Sequence, residues 1–263
     1  MIGVQVVILC IFSVALAKPF LPYSINWNFP YDTDNAEEKS GNFEGDMILS
    51  PRQMIDLRFR TGLINLKYRW PNKLVPYQLS SEFTREESEF IREALDSIEC
   101  VSCLRFVEKN SSHSDFVKVS REVDSGCFSS VGYQAGEQQL NLAPNELGTG
   151  CFRKGTIIHE FLHALGFFHM QSASDRDDYV TIVWENINPQ HVHNFKKYNE
   201  SVITHFGVKY DYESVMHYHK TAFSMNDEDT IVPKDPNAEI GQRIGLSDGD
   251  IKRLNKMYQC DEM

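Results

Sequence analysis

Seventeen uncharged, mostly apolar residues open the chain, MIGVQVVILCIFSVALA, closing on Ala15-Leu16-Ala17. An apolar run of that length ahead of an A-x-A pattern and Lys18 predicts a secretory signal peptide over 1–17, since it is too short and wrongly flanked to span a bilayer. No later apolar run approaches spanning length, so no membrane anchor is expected. Residues 18–60 lose the pattern. Pro19, Pro22 and Pro30 lead into DTDNAEEKSGNFEGDM, and only MILSPRQMIDLRFR regains a helical rhythm. This predicts a leader with few core contacts of its own, in which Phe43-Glu44-Gly45-Asp46 reads by composition as an exposed acidic turn, the other reading being a tight glycine approach whose aspartate offers an oxygen to a metal.

From Tyr68 the periodicities sharpen. YRWPNKLVPYQL is a proline-punctuated strand pattern with a turn at Asn72-Lys73. Thr84-Arg85-Glu86-Glu87 has the spacing of a capping box, and Phe90, Ile91, Ala94, Leu95 and Ile98 then share one helical face. Short strands follow at LRFVE, DFVKVSRE and, beyond the glycine-rich SVGYQAGEQ, the alternating QQLNLAP. A helix over KGTIIHEFLHAL turns Ile157, Ile158, Phe161, Leu162 and Leu165 inward, and looser structure with one closing helix completes the chain. The order of elements predicts an α+β domain over 61–263.

Composition narrows the partners. A net charge of −11 and a pI near 5.3, without basic runs, argue against nucleic acid and anionic membranes. Cysteines stand at 10, 100, 103, 127, 151 and 260. Loss of Cys10 with the signal peptide leaves an odd number in an oxidising compartment. Cys100-x-x-Cys103 has the spacing of a redox or zinc half-site, but no second pair or thioredoxin-like context supports it. Asn110-Ser111-Ser112 and Asn199-Glu200-Ser201 are glycosylation sequons that fit a secreted surface.

Chemistry concentrates in KGTIIHEFLHALGFFH, residues 154–169. His159 and His163, four apart on a helix, project one turn apart from the same face and can share a metal ion. Glu160 stands where its carboxylate can take a proton from a water at that metal and return it to a leaving amine. Gly166 permits the left-handed turn that brings His169 back as a third ligand. Three imidazoles suit zinc and leave a coordination position open, the arrangement of a catalytic centre. Downstream, Arg176 in SDRDDYV can brace the loop that holds His169. In SVMHY, Met216 can floor the imidazoles and Tyr218 can donate a hydrogen bond to an oxyanion.

HEFLHALGFFH, SDRDDYV, SVMHY and IGLSDGDIKRLNKMYQC together resemble the astacin family of secreted zinc endopeptidases, from about Phe43 to Cys260. The resemblance implies a metzincin-type, two-lobed catalytic domain with a mixed sheet above the zinc helix. It also implies one Zn2+ held by His159, His163 and His169, with Glu160 and Tyr218 catalytic and Met216 in the Met-turn. Residues 18–60 become a propeptide in which Asp46 occupies the zinc of the zymogen. A trypsin-like activator would cut after Arg60 to release Thr61. The family pairings would be Cys103–Cys260 and Cys127–Cys151, with Cys100 lacking a family partner. Gln139 to Ala143 would be the edge strand that holds protein or peptide substrates extended, and Arg243 would favour an acidic residue just after the cut. A monomer is expected. One position departs from the family: Met170 stands where astacins usually carry a glutamate that contacts the new amino terminus, and a thioether cannot make that ion pair. A secreted zinc protein that keeps the fold only to bind a partner is the rival reading, and intact Glu160, Tyr218 and Asp46 count against it.

Overall fold

The structure, a computed structural model, describes residues 36–58, 66–198 and 204–260. The signal peptide expected over 1–17, the expected cleavage at Arg60–Thr61 and the Asn199 sequon therefore lie outside the described residues.

Six strands form one mixed sheet: β1 (Met47–Ile48), β2 (Leu74–Leu79), β3 (Arg105–Glu108), β4 (Phe116–Ser120), β5 (Cys127–Ser130) and β6 (Glu137–Leu142). Their order is β1-β5-β6-β4-β2-β3, every neighbouring pair parallel except β5 with β6. A short helix, α1 (Pro51–Arg58), follows β1. Helix α2 (Arg85–Cys100) starts where the capping spacing places it. The Thr84 hydroxyl accepts the Glu87 N–H at 3.1 Å and the Glu87 carboxylate accepts the Thr84 N–H at 2.8 Å. Ile91, Ala94, Leu95 and Ile98 are buried and Phe90 partly so. The stripe packs α2 against α3 (Lys154–Leu165), which lies under β5 and β6.

Beyond α3 the backbone is mostly loops and short 3-10 turns around a second apolar cluster that includes Met170, Phe195, Tyr210 and Ile231. β7 (Val180–Ile182) and β8 (Ile231–Pro233) pair antiparallel there, and α4 (Asp248–Met257) returns Leu254 and Met257 to the main core.

Two sequence expectations change. Residues 137–142 are not an edge, since β6 lies between β4 and β5. On the side away from β3 the sheet would end at β5, which the N-terminal segment covers through Met47–Ser129 and Ile48–Ser130 pairing. All four residues of β5 are buried, so no polar–apolar alternation marks it as a strand. The leader, in turn, does contribute to the core. Ala36 joins the main cluster, while Met47 packs with Tyr68, Val131 and Phe168.

Two disulfides close the domain, Cys103–Cys260 and Cys127–Cys151, and no cysteine among the described residues is free, Cys100 included. The first joins the end of α2 to the chain beyond α4 across a separation of 157 residues. Replacing Cys103 and Cys260 together by serine is expected to lower stability by about 2–4 kcal/mol, by restoring freedom to the unfolded chain. Chemical denaturation of the purified pair reads this, and an unchanged midpoint would contradict it.

Candidate metal centre and active site

Helix α3 is buried on every side from Gly155 to Leu165, so it is an interior helix whose histidine face is covered as fully as its apolar one. Its start fits against the Arg243 loop only through Gly155. The Gly155 N–H donates to Arg243 O at 3.0 Å, and a Cβ at this position would come within 2.1 Å of that oxygen. Its end is Gly166 at φ +106°, with Phe167 N–H bonded back to Leu162 O at 3.0 Å.

That turn fixes the imidazoles. Nδ1 of His163 bonds Phe167 O at 2.8 Å and Nδ1 of His159 bonds Val215 O at 2.8 Å. Nδ1 of His169 faces Glu44 Oε2 at 3.1 Å. Each Nδ1–H donates to an oxygen, which leaves the lone pair on Nε2. The three Nε2 atoms then converge with the Asp46 carboxylate. The four candidate ligand atoms lie within 4.8 Å of one another, and His159 Nε2 and His163 Nε2 are 3.0 Å apart. Two lone pairs so close repel unless a cation lies between them. Burial holds His163 neutral, with its pKa lowered to about 4. Burial acts the same way on His169, but Asp46 and Glu44 outweigh it and raise that ring to about 9, so positive charge is favoured at this point. A divalent cation meets that demand in place of a proton. Three nitrogens and a carboxylate match the donor chemistry of zinc, and the residues fit the ion.

Glu160 is fully buried one residue from His159, and neither of its oxygens has a hydrogen-bond partner. Burial, then the charges of Asp46 and Glu37, pushes its carboxyl well above the usual range. The Tyr218 ring lies 4.6 Å from that of His169, and its hydroxyl donates to Glu44 O. Met216 is buried, and its carbonyl accepts the N–H of Met170, the residue after His169, at 2.9 Å. Arg176, also buried, donates to Gln171 O at 3.0 Å, two residues past His169.

Asp250 was not singled out from the sequence. Its Oδ1 accepts the Ser214 hydroxyl at 2.6 Å and its Oδ2 the Val215 N–H at 2.9 Å, and the Val215 carbonyl in turn orients His159. It also caps α4 with Ser247 and pairs with Arg253. The Ser247-x-x-Asp250 spacing gives the capping role, but the bonds to the Met-turn join residues 35 and 36 apart. Asp250→Ala should cost about 3 kcal/mol, because it removes one of the buried Arg253's two carboxylate partners among the described residues, the other being Asp211 at 3.7 Å, and frees the Ser214 hydroxyl and Val215 N–H, and it should weaken zinc retention. Thermal unfolding with and without added zinc checks both effects.

The N-terminal segment fills the cleft with carboxylates. Glu44 and Asp46 are buried against the histidines, with Glu44 Oε2 also taking the Ser172 hydroxyl at 3.1 Å. Glu37 forms a two-point ion pair with Arg243, and Glu38 bonds His219 Nε2 at 2.7 Å. Burial works against ionisation of Glu37, yet Arg243 and His159 hold its carboxyl down at about 2. Phe43-Glu44-Gly45-Asp46 is thus an inserted plug, and the segment that carries it leaves the Arg243 side chain only 7% exposed.

Met170 sits in the second apolar cluster beside a cavity of about 40 Å3 that Arg69, His205, Asp250 and Arg253 also line. Asn110, in the first sequon, is exposed. Among the described residues no helix is long and apolar enough to cross a membrane.

Comparison with known proteins agrees with this geometry. The sequence profile described as Astacin, a peptidase family, matches residues 62–259. Zinc metalloproteinase nas-14 of Caenorhabditis elegans is 47% identical over 220 residues, covering 82% of this chain but only 43% of that protein. Seminal metalloprotease 1 of Drosophila melanogaster is 42% identical over 232 residues, covering 87% of this chain and 90% of its own length. The solved structure of High choriolytic enzyme 1, a hatching enzyme zinc-protease from Oryzias latipes, superposes with a TM-score of 0.66 at 40% identity. That match covers 73% of this chain and 94% of that one. With its three convergent histidines and a profile match spanning most of the chain, this protein belongs to the astacin family of peptidases.

Proposed function

We propose that the chain is a secreted zinc endopeptidase made as a latent precursor, cutting internal bonds of protein or peptide substrates. One observation carries this reading: three imidazoles, each anchored through Nδ1, converge beside the unpartnered carboxylate of Glu160. A protein that merely bound zinc would not need a buried carboxylate held ready next to the ligands.

Zinc, when bound, supplies the positive charge that makes water acidic enough to attack at neutral pH. His159, His163 and His169 would hold it. Glu160 takes the proton of the attacking water and delivers it to the leaving amine. Tyr218, released from Glu44, turns its hydroxyl to the oxyanion of the attacked carbonyl. The substrate pairs with the β5 edge, since that is the strand the N-terminal segment covers. Asp46 blocks the position the water needs, so 18–60 acts as a propeptide behind a signal peptide over 1–17. A trypsin-like protease frees the 61–263 domain by cutting after Arg60. Arg243, once Glu37 leaves, accepts an acidic side chain just after the cut. The enzyme works as a monomer outside the cell.

Trypsin treatment of the purified precursor is expected to switch on casein hydrolysis. A chelator should abolish that activity and added zinc restore it. Hydrolysis that ignored the chelator would refute the metal assignment.

A further inference from the structure

Two of the carboxylates in the cleft lie away from the histidine ligands, and each has a cradle supplied by the 61–263 domain. Glu37 is gripped by the Arg243 guanidinium and by the Thr156 hydroxyl at 3.2 Å. Glu38 receives two N–H donors, the imidazole Nε2 of His219 at 2.7 Å and the backbone N–H of Phe223 at 3.0 Å. The second cradle is sheltered, with the Glu38 side chain 14% and His219 25% exposed.

The spacing of the two cradles is set by backbone. Gly241, at φ +84°, presses the Arg243 loop against His219 so closely that a Cβ would lie 2.3 Å from the His219 Cα. At this separation the two loops are in direct backbone contact. His219 follows Tyr218 directly, and Phe223 packs its ring 5.6 Å from the Tyr218 ring, so the second cradle borders the reaction centre. Both cradles belong to the part of the chain that persists after cleavage at Arg60, and both lose their occupants when the segment leaves.

We propose that His219 Nε2 and the Phe223 N–H form a second carboxylate subsite beside Arg243. The enzyme then selects peptides bearing two acidic side chains close together at the scissile bond. This rests on the peptidase reading above. Glu37 and Glu38 are, on this view, an internal copy of the preferred substrate, and the segment inhibits by offering the cleft what it recognises. A charge-assisted N–H···O bond in a sheltered site discriminates a carboxylate from its neutral amide, which can reproduce the shape but not the charge.

The test is cleavage profiling of the trypsin-processed enzyme on a peptide library, followed by matched glutamate and glutamine peptides. Enrichment of acidic residues is expected at two positions, with about a tenfold preference for glutamate over glutamine at each. His219→Ala should erase the preference at one position and keep it at the other, and His219→Lys should restore it. Acid enrichment at a single position, unaffected by His219→Ala, would overturn the proposal and leave the cradle as a device for holding the segment alone. If no peptide were cut, the peptidase reading itself would fall. The subsite would still be read by calorimetric binding of the same peptide pairs to processed Glu160→Gln protein, where equal affinity for glutamate and glutamine would refute it.

Discussion

Replacing Glu160 by glutamine is expected to lower peptide hydrolysis by the processed enzyme about a thousandfold or more, while zinc content and fold stay as they are. The substitution keeps shape and volume in a fully buried position. It breaks no hydrogen bond, because neither carboxylate oxygen makes one. Nor does it remove a ligand, since the convergent set is Asp46, His159, His163 and His169. What it removes is basicity: an amide cannot take a proton from water or pass one to an amine. Measured kcat/KM on a casein-derived peptide, beside zinc stoichiometry by atomic absorption, separates lost chemistry from lost metal. Equal rates in the two proteins would remove Glu160 from the mechanism, and a variant that failed to keep zinc would make it a structural residue.

How much of this was legible in the sequence follows from the range of the interactions involved. Helix α2 could be read because its start signal and its stripe are local: Thr84 and Glu87 bond each other, and Ile91 to Ile98 share a face by spacing alone. The metal centre was legible for the same reason, with His159, His163, Gly166 and His169 inside one helix and its terminating turn. Strand β5 was not legible. Four residues buried on both faces carry no alternation, and the pairing that makes Cys127–Ser130 a strand comes from β6 and from residues 47–48. The edge that the family resemblance implied at Gln139 to Ala143 is instead an interior strand, because β5 pairs outside it. The N-terminal segment misled in the opposite sense. Its carboxylates read as solvated because their partners lie far off, Arg243 being 206 residues from Glu37 and His219 being 181 from Glu38. Charge pairing across such distances leaves no period in the sequence. Asp250 shows both sides at once, since its helix cap is visible locally and its hold on Val215 is not.

On the proposed reading those long-range pairs also govern the second large effect, an expected loss of latency in Asp46→Ala. Asp46 is 1% exposed and lies 3.2 Å from both His159 Nε2 and His169 Nε2. Burial alone would favour its neutral form, but the surrounding imidazoles hold the carboxyl well below the usual range, so it is fully ionised at neutral pH. Deleting one partner of a buried charge cluster costs about 3–5 kcal/mol, a factor of about a hundred to several thousand in the balance between closed and open cleft. Release stays incomplete in the single variant, because Glu37 on Arg243, Glu38 on His219 and Glu44 on Ser172 still pin the segment. The uncut precursor carrying Asp46→Ala, with Arg60→Gln added to block processing, should therefore hydrolyse a small fluorogenic peptide at least about tenfold faster than the Arg60→Gln parent. Adding Glu37→Gln should raise the rate again, since that ion pair closes the same cleft from the Arg243 side. An uncut double variant that held its zinc but stayed as silent as the parent would show that latency lies in covering the β5 edge through residues 47–48, and that the carboxylate at the histidines is not the block.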